Sequence, residues 1–332
     1  MDTEQEEMQS LGLFGVYRES FKMIKSRSKI FNKITLTILP LSFIFLIHIQ
    51  VSNILFAKIK HNAYQIMETS QDTPQYRNLM HMISSEILTF FLFKLLYFTL
   101  LLVFSLVSTS AVVYTIASIY TSRDVTFTKV MSVVSKVWKR LVFTFLCTFV
   151  AFFAYNVMAV LVYFIWALTV GGRGGGGVAV LLVLRILYVA GSVYLAVVWH
   201  LASVVTVLED SYGIEAMVKS VELIKGNMYL SVSIFIMLSV CFGVIQFLFN
   251  KMVVHGWRLG SVDRTIYGML CLVLFSQLYL FQLVIQTVLY FVCTSYHHQN
   301  IDKSALSDHL EVYHGEYEPL KGKDIQLEHY HV

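Results

Sequence analysis

The chain has 332 residues, of which 57% are hydrophobic and 14% charged, with a formal net charge of +4. Soluble domains carry about 25% charged residues, so a soluble globular protein is excluded, and no basic module of the kind that binds nucleic acid is found. The apolar residues gather into long runs divided by short polar stretches, the pattern of a polytopic membrane protein.

The N-terminal stretch MDTEQEEMQSLGLFG is acidic and lacks the basic start and short apolar core of a cleaved signal peptide. Within residues 1–33, Phe14, Tyr17, Phe21 and Ile24 share one helical face, while Arg18, Lys22 and Lys25 occupy the other. This spacing predicts an amphipathic helix before a first span at residues 34–57, which contains Pro40. Residues 58–86, with Pro74, are predicted as a polar loop, and the second span as residues 87–120. The first spacing recurs in Phe127, Val130, Val134 and Val137, with Met131 and Trp138 widening the face and Lys129, Lys136 and Lys139 opposite.

A third span is predicted at 141–170, the linker GGRGGGGV at 171–178, and a fourth span at 178–208. The linker lacks the Gly-Lys-Ser/Thr ending of a phosphate-binding loop. The segment LEDSYGIEAMVKSVELIKGN follows, with the spacing a third time: Ile214, Met217, Val221 and Ile224, widened by Val218. Here Glu215 and Glu222 balance Lys219 and Lys225, so this helix is predicted to pack on protein rather than lipid. Asp210 or Ser211 is the predicted cap, and Gly226-Asn227 the stop. Spans five and six follow at 229–250 and 266–296, then a tail at 297–332. Each run provides the ~20 residues that a crossing needs. The runs lack the alternation of a membrane barrel, so the fold class is all-α: six transmembrane helices with three amphipathic helices, one before each odd span, in a threefold hairpin repeat.

Lys and Arg concentrate before span one, between spans two and three, between spans four and five, and in the tail. The positive-inside rule therefore predicts that the N- and C-termini and all three amphipathic helices are cytoplasmic, in the endoplasmic reticulum, secretory pathway or plasma membrane. The basic faces suit an anionic cytoplasmic leaflet. Cys147, Cys241, Cys271 and Cys293 all lie in apolar runs and form no paired motif.

Charged and amide side chains inside spans are the candidate functional residues. They are Lys94, Asn156, Arg185, His200, Gln282 and Gln286, with His48 near mid-span. One reading has Lys94 and Arg185 line an outward-facing anionic site and joins His48, Asn156, His200, Gln282 and Gln286 in a polar cavity between spans one, three, four and six. The other has Lys94 and Arg185 snorkel to headgroups and the rest form interhelical hydrogen bonds. No metal site, cofactor motif or catalytic constellation is found, the histidine-rich tail included. Tyr317 and Leu320 in the tail fit a Tyr-x-x-apolar sorting signal.

The stretches VVWHLASVVTVLEDSYGIEAMVKSVELIKGN and HHQNIDKSALSDHLEVYHGEYEPLKGKDIQLE resemble an uncharacterised plant family of six-span transmembrane proteins. More distantly, the pattern of Ala216, Ser220, Leu223 and Lys225-Gly226-Asn227 is similar to the membrane domain of some bacterial glycerophosphodiester phosphodiesterases. Neither resemblance implies a catalytic residue. The expected function is a non-enzymatic membrane protein that organises lipids, anionic ones included, or partner proteins through its cytoplasmic helices and tail. The alternative is a transporter or channel whose pathway uses Arg185, Asn156 and Gln282.

Overall fold

A computed structural model describes residues 12–69, 73–121, 125–169, 175–256 and 260–297. Among them the chain is all-helical: α1 (Leu13–Ser26), α2 (Ser28–Glu68), α3 (Pro74–Tyr120), α4 (Phe127–Thr169), α5 (Gly175–Leu208), α6 (Ile214–Ile224), α7 (Met228–Phe249) and α8 (Ser261–Tyr296). A π-turn at Asn250–Val254 ends α7. Six of these elements are long and apolar enough to cross a membrane, and the first three run well beyond the predicted spans at one end. The basal end of the bundle gathers the starts of α2, α4 and α7 with the ends of α3, α5 and α8. The distal end carries the hairpin turns.

Several spanning helices overshoot the roughly 30 Å hydrocarbon core. The 47 residues of α3 reach about 70 Å at the helical rise. Residues 58–68 and 74–86 are therefore not loop but the distal parts of the long helices α2 and α3. The cause is a stripe at three- and four-residue intervals: Leu55, Ile59, Asn62 and Ile66 are turned inward on α2, facing Tyr76, Leu79, Ile83 and Glu86 on α3. The polar residues around that stripe, with Pro74 among them, make it read as a loop.

The second predicted amphipathic helix is likewise not a separate element. Residues 127–138 are the first turns of α4, which runs unbroken for 43 residues. No glycine or proline occurs between Phe127 and Thr169 to interrupt it. The other two are separate helices, and backbone breaks explain why. Arg27 leaves helical geometry between α1 and α2. Gly213 and Gly226, with φ of 64° and 97°, bracket α6. At Gly213 a Cβ would also lie 2.5 Å from the Phe143 ring, and at Gly226 one would collide with the Tyr296 ring.

The cap of α6 differs from the expected one. Neither Asp210 nor Ser211 caps it; Gly213 holds that position, and its N–H donates to Thr144 Oγ1 at 2.8 Å. Asp210 instead pairs with Arg140 at 3.0 Å. Glu209 accepts from Tyr290 Oη at 2.6 Å, forms an ion pair with Lys219 and accepts from Ser211 at 3.3 Å. These contacts tie the end of α5 to α6 and α8.

Both separate helices turn small residues fully inward and leave part of the predicted stripe exposed. In α6 the inward face is Ala216, Ser220, Leu223 and Ile224, while Ile214 and Val218 are exposed. In α1 it is Val16 and Ser20, with Phe14 84% and Phe21 63% exposed. Small side chains let the short helices approach the bundle closely. The Tyr17 ring packs 5.8 Å from that of Phe281, so α1 lies along the flank of α8. Burial, with Cys241 adding to it, raises the Tyr17 phenol above its ordinary value.

The core lies in the basal half and shows a regularity. The even-numbered spans end at Tyr120, Leu208 and Tyr296, equal intervals apart. Matching positions along them are buried together: Ser110, Val198 and Gln286; Val113, Leu201 and Leu289; Tyr114, Ala202 and Tyr290; Ala117, Val205 and Cys293. The odd units match in the same way through Val16, Val130 and Ala216, then Ser20, Val134 and Ser220, then Ile34, Thr148 and Ile234.

Candidate functional site

The six candidate intramembrane residues fall into three places. Lys94 on α3 reaches across to α2, where its ammonium lies 2.7 Å from His48 Nε2 and donates to Ser52 Oγ at 2.9 Å. An ammonium has no acceptor, so the ring nitrogen facing it is the unprotonated one. The His48 ring stacks on Tyr97 at 3.6 Å, and Lys94 lies over the Phe90 ring at 5.1 Å. Asn156 accepts from Tyr188 Oη at 2.9 Å and donates to the Phe152 carbonyl, joining α4 to α5. Arg185 is exposed on the outer surface of α5, and no hydrogen bond or ion pair engages it among the described residues.

Only His200, Gln282 and Gln286 converge. Gln286 Nε2 lies 2.8 Å from His200 Nδ1, and Gln282 Nε2 lies 3.4 Å from Nε2 of the same ring. A neutral imidazole has one donor and one acceptor, so one glutamine presents its amide N–H and the other its carbonyl oxygen. Helical geometry positions the pair: Gln282 and Gln286 are one turn apart on α8, and His200 faces both from α5. Trp199 stacks parallel to His200 at 5.9 Å.

This cluster forms one wall of a cavity of about 300 Å³ enclosed by α2, α3, α4, α5, α7 and α8. Phe45, Phe242 and Phe275 form another wall, with Phe45 stacked on Phe275 at 4.8 Å and Phe242 edge-on to it at 5.1 Å. Ser105 and Tyr279 add a hydroxyl pair 3.1 Å apart. The sequence pointed to the three convergent residues through their polarity. It gave no warning of Ser105, Tyr279 and Gln246, which join the lining only because their helices meet there.

The basic residues lie on α1 and on the first turns of α4. Arg18, Lys22 and Lys25 of α1 are exposed, as are Lys136 and Lys139 of α4, whereas Lys129 is half-buried. Lys22 also pairs with Glu19 at 3.4 Å. Tyr317 and Leu320 of the predicted sorting signal lie outside the described residues. Among the described residues no group of three or more His, Cys, Asp or Glu is placed to hold a metal.

Residues 1–330 match a family described as a domain of unknown function, DUF8558. No curated protein and no solved structure matches the chain.

Proposed function

We propose a function for a chain that belongs to the DUF8558 family: a non-enzymatic, multi-pass membrane protein that organises anionic lipids at its basal, cytoplasmic face. The observation that carries this reading is α1. It docks through Val16 and Ser20 and leaves two aromatic rings, Phe14 and Phe21, exposed beside Arg18, Lys22 and Lys25. Exposed rings and exposed cations on one short helix are both satisfied at a headgroup boundary, rings toward acyl chains and cations toward phosphates. Each basic residue near an anionic surface contributes about 1 kcal/mol. The excess of Lys and Arg at this end supports its cytoplasmic placement.

The matched burial along the odd and even spans supports three hairpin units in the same orientation, each introduced at the basal end by a helix or helical segment. The likeness to plant six-span proteins and to the bacterial phosphodiesterase membrane domain fits this reading, because Ala216, Ser220 and Leu223, which carry the second likeness, form the buried face of α6. Organisation of partner proteins belongs to the same proposal. The alternative pathway through Arg185, Asn156 and Gln282 draws no support from their placement, since Arg185 faces outward and Asn156 is spent on Tyr188.

The test is lipid enrichment around the protein in phosphatidylcholine vesicles carrying fluorescent phosphatidylserine, read by energy transfer from tryptophan. Wild type enriches phosphatidylserine over a fluorescent phosphatidylcholine, and salt weakens the effect. The combined Arg18→Gln, Lys22→Gln and Lys25→Gln variant loses most of the preference. Equal transfer to both lipids in wild type would sink the proposal.

A further inference from the structure

We propose that the central cavity binds a neutral amphiphile drawn from the membrane, a single-chain or single-ring molecule with one hydroxyl, carbonyl or amide group. The inference rests on the cavity and is independent of the lipid-surface reading of α1.

Size sets the first limit. A volume of about 300 Å³ is at the lower end of small-molecule sites, which run from roughly 300 to 1,000 Å³. Such a space admits one chain or a small ring. Charge sets the second. None of the lining residues is Asp, Glu, Lys or Arg. An ion placed there would lose its hydration without gaining a counter-charge, whereas a neutral group would lose little.

Polarity sets the orientation. His200 lies about 12 Å along α5 from its basal end, and Gln286 about 15 Å along α8 from its own. Phe275 lies about 32 Å along α8 from the same end, and Phe45 about 25 Å along α2 from its start. The His200–Gln282–Gln286 wall is thus basal, and the three phenylalanines lie distal to it with Gln246 and the Ser105–Tyr279 pair. An amphiphile fits head toward the basal end and tail toward the distal end.

Two further observations point to an occupant. The glutamine amides have more donors and acceptors than one imidazole can use. In a bundle interior such groups call for a partner. His200, Gln282 and Gln286 also border a second chamber of about 30 Å³, lined besides by Ile224, Ser231 and Leu289. That volume is about one water's share of the liquid. The three side chains therefore form a polar septum, with a tail-sized space on one side and a water-sized one on the other.

The experiment uses Trp199, which lines the cavity. Trp138→Phe, Trp166→Phe and Trp257→Phe together leave it as the sole tryptophan. The protein is placed in phosphatidylcholine nanodiscs free of anionic lipid, and a bromine-terminated undecanol is added as a contact quencher. Quenching should saturate. The matching bromoundecanoate, at a pH where it is ionised, should bind at least about tenfold more weakly, a difference of about 1.4 kcal/mol. Ser203→Phe, which fills the cavity from α5, and the Gln282→Leu/Gln286→Leu pair should each abolish saturation.

Folding of each variant is checked by helical content and thermal transition. The single Gln246→Leu change, expected to weaken binding severalfold, is the test should the others misfold. Linear quenching that is the same in wild type and Ser203→Phe overturns the proposal, as simple partitioning into lipid. Equal binding of alcohol and carboxylate overturns the neutral selectivity. Equal binding of water-soluble bromohexanol supplied from the aqueous phase overturns the membrane origin.

Discussion

Two hairpins leave the core in opposite ways. Beyond the packed basal half, α2/α3 and α4/α5 both continue as paired helices toward the distal end. The outer part of α2/α3 exposes Lys58, Lys60, His61, Glu68 and Arg77 and joins its helices by polar contacts. Asn62 donates to Glu86 at 2.8 Å, and Lys58 pairs with the same carboxylate at 3.4 Å. The outer part of α4/α5 exposes Phe153, Phe164, Ile165, Leu182 and Ile186. Its helices meet through tyrosines: the Tyr155 ring stacks on Tyr188 at 5.7 Å, and its hydroxyl donates to the Tyr188 carbonyl at 2.9 Å. The backbone solution is the same in both, while the exposed residue types assign one hairpin to water and the other to lipid. A long helix therefore does not mark a long span; the chemistry of its outward face does.

The sharpest way to break this comparison is accessibility. In a cysteine-free background, Tyr64→Cys at the outer part of α2 should label fully with a membrane-impermeant maleimide, and Phe164→Cys in α4 should not label at all. Labelling of both, or of neither, would remove the distinction between the hairpins.

A smaller effect is expected at Gly191, where a Cβ would collide with the Tyr155 hydroxyl. Gly191→Val should lower stability by about 1–3 kcal/mol, as overpacking does. The shift should appear in thermal unfolding in detergent and be relieved by Tyr155→Ala, because the loss comes from one contact. No relief would mean that the glycine serves something other than the close approach of α5 to α4.

The smallest effects compare the polar links of the two hairpins. Asn62→Ala removes a hydrogen bond to a charged, largely buried acceptor and should cost about 1.5–3 kcal/mol. Tyr188→Phe, which removes the bond to Asn156, should cost about 0.6 kcal/mol, the usual worth of such a bond between membrane helices. Denaturation midpoints in the same detergent measure both. A reversed order would place Asn62–Glu86 in lipid and Asn156–Tyr188 in water.

Part of the candidate site was legible in the sequence. His200, Gln282 and Gln286 stood out because amides and imidazoles are rare in apolar runs, and they do meet. Asn156, Arg185 and Lys94 stood out for the same reason and are used elsewhere, because polarity marks a residue without marking its partner. Gly226 was legible as a stop for α6, and its positive φ agrees with that role. The cap of α6 was not legible: Thr144, which meets the Gly213 N–H, is remote in sequence and becomes adjacent only when α4 and α5 pack.

The sequence by itself determined that this chain is helical, that it has six runs long enough to cross a bilayer, and where the second, fourth and sixth of them end. Each of these follows from local hydrophobicity and from glycine, proline and charge placement, which act over a few turns of helix. Tertiary structure decided which face of each short helix turns inward, since close packing selects Val16, Ser20, Ala216 and Ser220 over Phe14, Phe21, Ile214 and Val218. It also decided that residues 58–68 and 74–86 are helical and that α4 begins without a break. Above all, it decided which polar residues share a cavity. These depend on contacts between segments far apart in the chain, where the energy of an arrangement belongs to pairs of helices and not to either one alone.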